Sequence, residues 1–410
     1  MLAHSFFKAV ITTGNLAVID AKGTRVVYGD GTGAPVTLRL VGRMTALRVL
    51  LNPYLHVGEA YMNGTLVIDQ GTVYDFLEIA AQNMNNLNSH PLRRWVRRLA
   101  VPLRHLRTFN PVSRARRNVA HHYDLSGELY DLFLDDDRQY SCAYFDSPDN
   151  TLEEAQTAKK RHIAAKLLLD KPGMNILDIG SGWGGMGLYL AREADAKVTG
   201  VTLSEEQLKV SRERAEKEGL SDKTEFHLRD YREEPGTYDR IVSVGMFEHV
   251  GSSHYREFFR KVKSLLAEDG VMLLHAIGTM GPPGATNPWL RKYIFPGGYT
   301  PSLSEVTAAI EDVGLYITDI EILRLHYAGT LRKWRERFEA NRDKVKSLYD
   351  ERFCRMWEFY LAGCEVSFRY MDQMVFQIQL AHRQEAVPLT RDYITDWERE
   401  TARKPSRAAE

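Results

Sequence analysis

The chain has 410 residues, 54 basic and 54 acidic side chains, and only three cysteines. At that length a single ordinary core is excluded and two domains are expected, with a composition typical of globular proteins. No apolar run approaches the ~20 residues of a membrane span, and Met1 to Val10 is too short an apolar stretch for a secretory signal. Cys142, Cys354 and Cys364 offer neither a disulfide framework nor a metal-ligand spacing, so a cytoplasmic protein without a metal is expected.

The zero net charge hides an uneven distribution. Residues 1–117 hold 15 Lys and Arg against 6 Asp and Glu, and no acidic residue falls between Ile79 and Tyr123. Such a front seeks a polyanion. Short β-type segments at Leu16 to Ile19, Arg25 to Tyr28 and Val36 to Leu40 are separated by turn residues, and Val73 to Ala81 is apolar at helical spacing, which predicts a small α+β domain. At its end, Leu92-Arg-Arg-Trp-Val-Arg-Arg-Leu99 places Leu92, Trp95, Val96 and Leu99 on one helical face and Arg93, Arg94, Arg97 and Arg98 on the other. Arginines alone would suit nucleic acid. A Trp flanked by aliphatics belongs at a lipid interface, so an anionic bilayer surface is the expected partner and nucleic acid is not.

Beyond Pro111 come His122-Tyr-Asp-Leu and Tyr140-Ser-Cys-Ala-Tyr-Phe145, which alone read as packing. A helix over Thr151 to Leu169 leads into Asn175 to Ile179, an apolar strand that runs into Gly180-Ser-Gly-Trp-Gly184. Glycines there let the backbone bend and lie against a ligand, while the next helix aims its N-terminal amides at it. A dinucleotide site would end the following strand, Lys197 to Val201, on an acid for the ribose; here Thr202-Leu203-Ser204 follows, which argues against NAD. Leu177-Asp-Ile-Gly-Ser-Gly-Trp-Gly184 looks like the S-adenosylmethionine (SAM) turn of class I methyltransferases. Ser204-x-x-Gln207 predicts a capping box and a helix to about Glu218. Strands at 224–228, 239–245 and 270–277, helices at 254–266 and 302–312, and a last strand at 316–323 complete an α/β, doubly wound, mostly parallel sheet with ligand sites at the strands' carboxyl ends. Glu248 and His275 stand at such ends. Leu331 to Tyr349 and Phe353 to Leu380 predict a helical extension, and the charged tail past Trp397 is expected to be loose.

These motifs together resemble the cyclopropane fatty acid synthases and their relatives, the mycolic acid cyclopropane synthases. The resemblance covers the chain from Gly58 onward and rests on His122-Tyr-Asp-Leu, Tyr140-Ser-Cys-Ala-Tyr-Phe145, Leu152-Glu-Glu-Ala-Gln156, the turn at 177–184, Met246-Phe-Glu-His-Val-Gly251, Leu325-His-Tyr-Ala-Gly-Thr-Leu331 and Phe359-Tyr-Leu-Ala-Gly-Cys364. Ser126-Gly127 departs from a Gly-Asn common in that family. The resemblance implies a lipid-binding front (1–117), a catalytic domain with a helical lid (118–400) and a tail (401–410). It also implies a homodimer held peripherally on the inner face of the membrane.

The implied chemistry is attack of a cis double bond in a phospholipid acyl chain on the SAM methyl, then loss of a proton from that methyl to a bound bicarbonate as the ring closes. Bicarbonate would be held by the side chains of Glu248, His275 and Tyr327 and by backbone at Cys142 and Ile277, so Cys142 need not be a nucleophile. For SAM the matching positions are Tyr140, Ser141, Asp178, Gly180, Gly182, Gly184, Thr202, Leu203, Gln207 and Tyr231. Aromatic rings near 140–145 and at Phe247 could face the cation. Loss of a different proton would give a methyl-branched or methylated unsaturated chain, the nearest alternative. A nucleic-acid methyltransferase would want an Asn-Pro-Pro-Tyr-type site or a Pro-Cys nucleophile, and neither is present.

Overall fold

The computed structural model describes residues 2–89 and 126–403, which leaves the basic segment at 92–99 and the His122-Tyr-Asp-Leu motif outside the described residues. In chain order the front comprises α1 (Leu2–Val10), β1 (Leu16–Ile19), β2 (Arg25–Tyr28), β3 (Val36–Leu40), α2 (Arg43–Leu51), α3 (Pro53–Met62), β4 (Leu66–Gln70), α4 (Val73–Gln82) and α5 (Met84–Ser89). Next are α6 (Gly127–Asp131), α7 (Leu152–Lys166), β5 (Asn175–Ile179), α8 (Gly185–Glu193), β6 (Lys197–Thr202), α9 (Glu205–Lys217) and β7 (Thr224–Leu228). Then follow β8 (Tyr238–Val244), α10 (Tyr255–Leu265), β9 (Leu266–Thr279), α11 (Pro288–Tyr293), α12 (Leu303–Val313) and β10 (Tyr316–Ile322). The chain closes with α13 (His326–Ala340), α14 (Arg342–Leu348), α15 (Glu351–Tyr370), β11 (Gln373–Ala381) and α16 (Asp392–Arg403).

Two compact units emerge. One holds the described residues before 90 together with 285–296 and 328–373; the other holds 126–284, 297–327 and 374–403. The first contains a four-stranded sheet ordered β2-β1-β3-β4, in which only β1 and β3 run parallel. Leu16, Leu38, Phe76 and Ile79 form its core, and a Thr72–Asp75 capping box starts α4. Later helices pack here too: a Cβ on Gly58 of α3 would lie 2.5 Å from the Trp289 indole of α11 and 2.8 Å from the Phe359 ring of α15, so only glycine permits this approach.

The second unit is built on a seven-stranded sheet ordered β10-β11-β9-β8-β5-β6-β7. β5, β6, β7, β8 and β9 pair in parallel, as their apolar runs require when helices cover both faces. Alternate residues separate into two cores: Leu177, Ile179, Met272 and Leu274 in one, Ile176 and Leu273 in the other. The strand order reverses around β5, between β6 and β8, where such sheets open a ligand crevice.

Two expectations are corrected. The helical extension stops at Tyr370, and 373–381 is a strand inserted between β9 and β10, antiparallel to β10. An apolar run buried on both faces has no periodicity that separates strand from helix. The sheet therefore ends on β10 with β11 inside it. The tail is not loose immediately past Trp397, because α16 continues to Arg403; Trp397 packs on the second core and Glu398 reaches His162.

Candidate active site

The pocket lies at the carboxyl ends of β5, β6 and β8. Gly180, Gly182 and Gly184 all adopt positive φ (83°, 55° and 84°), and the amides of Gly180 and Ser181 both donate to the Val201 carbonyl, which folds the turn across the end of β6. A Cβ on Gly180 would come within 2.7 Å of Met246 and close the crevice. Asp178, Gly180 and Gly182 line one wall; Thr202, Leu203 and Gln207 line another; Tyr140, Ser141 and Tyr231 complete it. Gly184 stands apart from the lining. It begins α8 in the left-handed region, where a Cβ would meet Ser211 and Phe226.

The expected capping box at Ser204 is only half formed. Ser204 Oγ accepts from the Gln207 amide, but the Gln207 side chain turns to the Thr202 hydroxyl, 2.8 Å away. That pair offers polar contacts where a dinucleotide site would place an acid. Asp178 is 2% exposed, and its Oδ2 is buried with no hydrogen-bond partner. Burial pushes its carboxyl up to about 7 against the pull of the Lys159 ammonium. Lys159 is itself fully buried, donates to Gln139 Oε1 at 2.6 Å and Ser141 Oγ at 2.9 Å, and is lowered to about 8 by burial. An unpaired buried acid beside glycine-lined space fits a cationic, nucleoside-sized cofactor.

A second cluster adjoins this pocket. β8 and β9 run in register, with Val244 opposite His275, and the chain then turns through Met246, itself a pocket-lining residue, to Glu248. Glu248 Oε1 accepts the Ile277 amide at 2.7 Å, and Oε2 is buried without a partner. Burial raises this carboxyl to about 7. His275, 2% exposed, is held well below its ordinary value by burial, with Lys159 and Lys166 acting in the same direction, so it is neutral at pH 7. Glu248 and the Ile277 amide thus meet, and His275 stands two residues before Ile277 on the same strand. The segment carrying Cys142 is tied down nearby: the Ser141 carbonyl accepts from Gln156 Nε2 at 3.0 Å, and Ser141 lies beside Gly245. The Cys142 thiol is 1% exposed and donates to the Ala143 carbonyl. Tyr327 is the second residue of α13, and His326, which opens it, accepts the Phe145 amide through Nδ1 at 2.9 Å. Phe247 does not offer a face to substrate: it is fully buried and stacks on Tyr255 at 4.4 Å.

Residues 111–378 match the family model described as mycolic acid cyclopropane synthetase. The chain belongs to this family. Among relatives, the cyclopropane-fatty-acyl-phospholipid synthase of Escherichia coli is 39% identical over 84% of this chain and 87% of its own. A probable fatty acid methyltransferase of Pseudomonas putida is 44% identical over 61% of this chain, and the match spans 65% of that protein. The tuberculostearic acid methyltransferase of Mycobacterium tuberculosis is 37% identical over 85% of this chain and 86% of its own. Of solved structures, the cyclopropane synthase MmaA2 from M. tuberculosis superposes with a TM-score of 0.63 at 34% identity, covering 67% of this chain and 99% of that one. The fold is that of class I SAM-dependent methyltransferases, and this cyclopropane synthase family member is a SAM-dependent enzyme.

Sequence reasoning missed two residues of the family member's site. Lys159 reads as one charge among several on α7, and Gln377 falls in a run that reads as helix. The signal for the second was present: Gln377 and Gln379 interrupt an apolar run at spacing two, the mark of one strand face carrying polar work.

Proposed function

We propose that the protein methylates the cis double bond of unsaturated acyl chains in membrane phospholipids and closes a cyclopropane ring. SAM would supply an electrophilic methyl in the pocket lined by Asp178, Gly180, Gly182, Thr202 and Gln207. Bicarbonate would supply the base that takes a proton from the transferred methyl. Glu248, His275 and the Ile277 backbone, together with Tyr327 and the Cys142 backbone, would hold that ion, and a burial-raised Glu248 shares a proton with an anion instead of repelling it. Buried walls exclude the water that would trap a cation on the chain.

The observation that carries this reading is the buried, unpartnered Oε2 of Glu248, whose Oε1 accepts the Ile277 amide, two residues past the pocket-lining Met246. The test is incubation with SAM and vesicles of unsaturated anionic phospholipid, with and without bicarbonate, followed by NMR of the extracted lipid. Upfield ring protons that depend on bicarbonate are expected. Methylated but ringless chains would move the function to a fatty acyl methyltransferase, the second reading favoured by the relatives in P. putida and M. tuberculosis.

Residues 1–117 are proposed as the lipid-facing part, with Arg93, Arg94, Trp95, Arg97 and Arg98 holding the enzyme peripherally on the inner leaflet. Each basic residue near an anionic surface contributes ~1 kcal/mol, so sedimentation with anionic vesicles should fall with salt. Equal binding to neutral vesicles at high salt would sink this. No helix among the described residues is long and apolar enough to cross a membrane. A homodimer would double the basic surface and add avidity.

A further inference from the structure

Gln377 lies on β11, fully buried, with its side chain between two groups of opposite demand. On one side Lys166 Nζ is 2.8 Å from Gln377 Oε1. Lys166 is itself buried, ion-paired with Glu321 and 3.8 Å from Asp319. On the other side Gln377 Nε2 is 3.1 Å from His275 Nδ1. An ammonium can only donate, so the amide oxygen must face Lys166; the reverse orientation would set N–H against N–H. The amide nitrogen then faces His275, and it too can only donate. Nδ1 must therefore present its lone pair, and the single proton of a neutral imidazole sits on Nε2.

We propose that Gln377, oriented by Lys166, is a positioning residue that fixes His275 in its Nε2–H tautomer, making His275 a hydrogen-bond donor to an anion at the Glu248 site and not a proton acceptor. The order of the groups explains why a polar residue stands in the middle of an apolar strand. Two acceptors at that site, Glu248 and a histidine with a bare Nε2, would repel an oxyanion, whereas one shared proton and one fixed N–H would hold it. The orienting chain continues outward, since Glu321 Oε2 lies 2.8 Å from His162 Nε2 and Glu398 Oε1 lies 2.8 Å from His162 Nδ1. Gln379, two residues along the same strand face, donates to the Lys166 carbonyl at 2.6 Å and so anchors the same end of α7.

This inference rests on the bicarbonate reading for its consequence but not for its geometry, and its test separates the two. The full-length enzyme labelled with ¹⁵N-histidine is studied at pH 7 by long-range ¹H–¹⁵N correlation, with the His275 signals assigned by their loss in H275N. The wild-type ring should show a protonated Nε2 and a bare Nδ1. In Q377E the carboxylate accepts, which should move the proton to Nδ1, lower kcat roughly 10–100-fold and leave SAM affinity unchanged. A wild-type ring protonated at Nδ1, or a tautomer unmoved in folded Q377E, would overturn the proposal; the wild-type spectrum decides it even if Q377E does not fold. Activity indifferent to bicarbonate, with the Nε2–H tautomer present, would instead defeat the functional reading alone.

Discussion

Asp178 carries the clearest charge problem at the scale of single residues. Its Oδ2 is buried without a partner, and its carboxyl is raised to about 7. A cation brought into the pocket favours the ionised form, so binding should release a proton below pH 7 and affinity should rise with pH up to about 7, then level off. Calorimetric titration with SAM in buffers of different ionisation enthalpy measures that release. In Asp178→Asn the buffer dependence and the pH dependence should both vanish, with affinity at pH 7.5 reduced roughly 10–100-fold; a pH-independent wild type would show that Asp178 does not sense the ligand. The glycine turn was legible because backbone demands leave glycines in fixed order, whereas the Thr202–Gln207 bond was not, since Ser204-x-x-Gln207 reads as a capping box until the fold turns the Gln207 side chain to Thr202. Lys159 was not, since a buried lysine and an exposed one look alike until the fold brings Gln139 and Ser141 to it.

Secondary-structure elements repeat this contrast. β1, β2 and β3 were readable to the residue because turn residues bracket each, and α7 starts where the sequence places it, on a Thr151–Glu154 capping box that the structure shows. β11 was missed because its neighbours β9 and β10 lie far away in the chain, and no local pattern reports a non-local pairing. Close packing between strand and turn gives a test at this scale. A Cβ on Gly200, in the middle of β6, would sit 2.5 Å from the Phe226 ring and 2.9 Å from Ser181 Cβ. Gly200→Ala must push β7 away from the sheet or displace the cofactor turn, and overpacking of this kind costs about 1–3 kcal/mol. Urea unfolding should show that loss, and weaker SAM binding should accompany it because Ser181 is in the turn. Unchanged stability would mean that Phe226 swings aside without cost.

Across the whole molecule, buried charge makes stability respond to pH in opposing directions. His162, between the carboxylates of Glu321 and Glu398, is raised above its ordinary value despite burial. Its contribution is full below about 6.5 and is lost as pH rises through the folded value, loosening the contact that docks α16. Glu321 is held well below the usual carboxylate range by His162 and Lys166, so its contribution is present above about 4.5 and is lost only in acid. Glu248 and Asp178 act the other way. Each is pushed up to about 7, so the folded state binds more protons than the unfolded chain and stability falls as pH rises from about 4 to 7. The folded apoprotein should therefore be most stable in mild acid and less stable at pH 8. Glu248→Gln keeps an acceptor for the Ile277 amide but removes the buried charge. It should equal wild type at pH 5, exceed it at pH 8 by up to about 3 kcal/mol in denaturant titrations, and lose ring formation. A variant equally destabilised at both pH values would show that the carboxylate serves packing. A gain confined to high pH, with activity gone, would show that the fold keeps an ionisable group at a cost in stability because the site needs one.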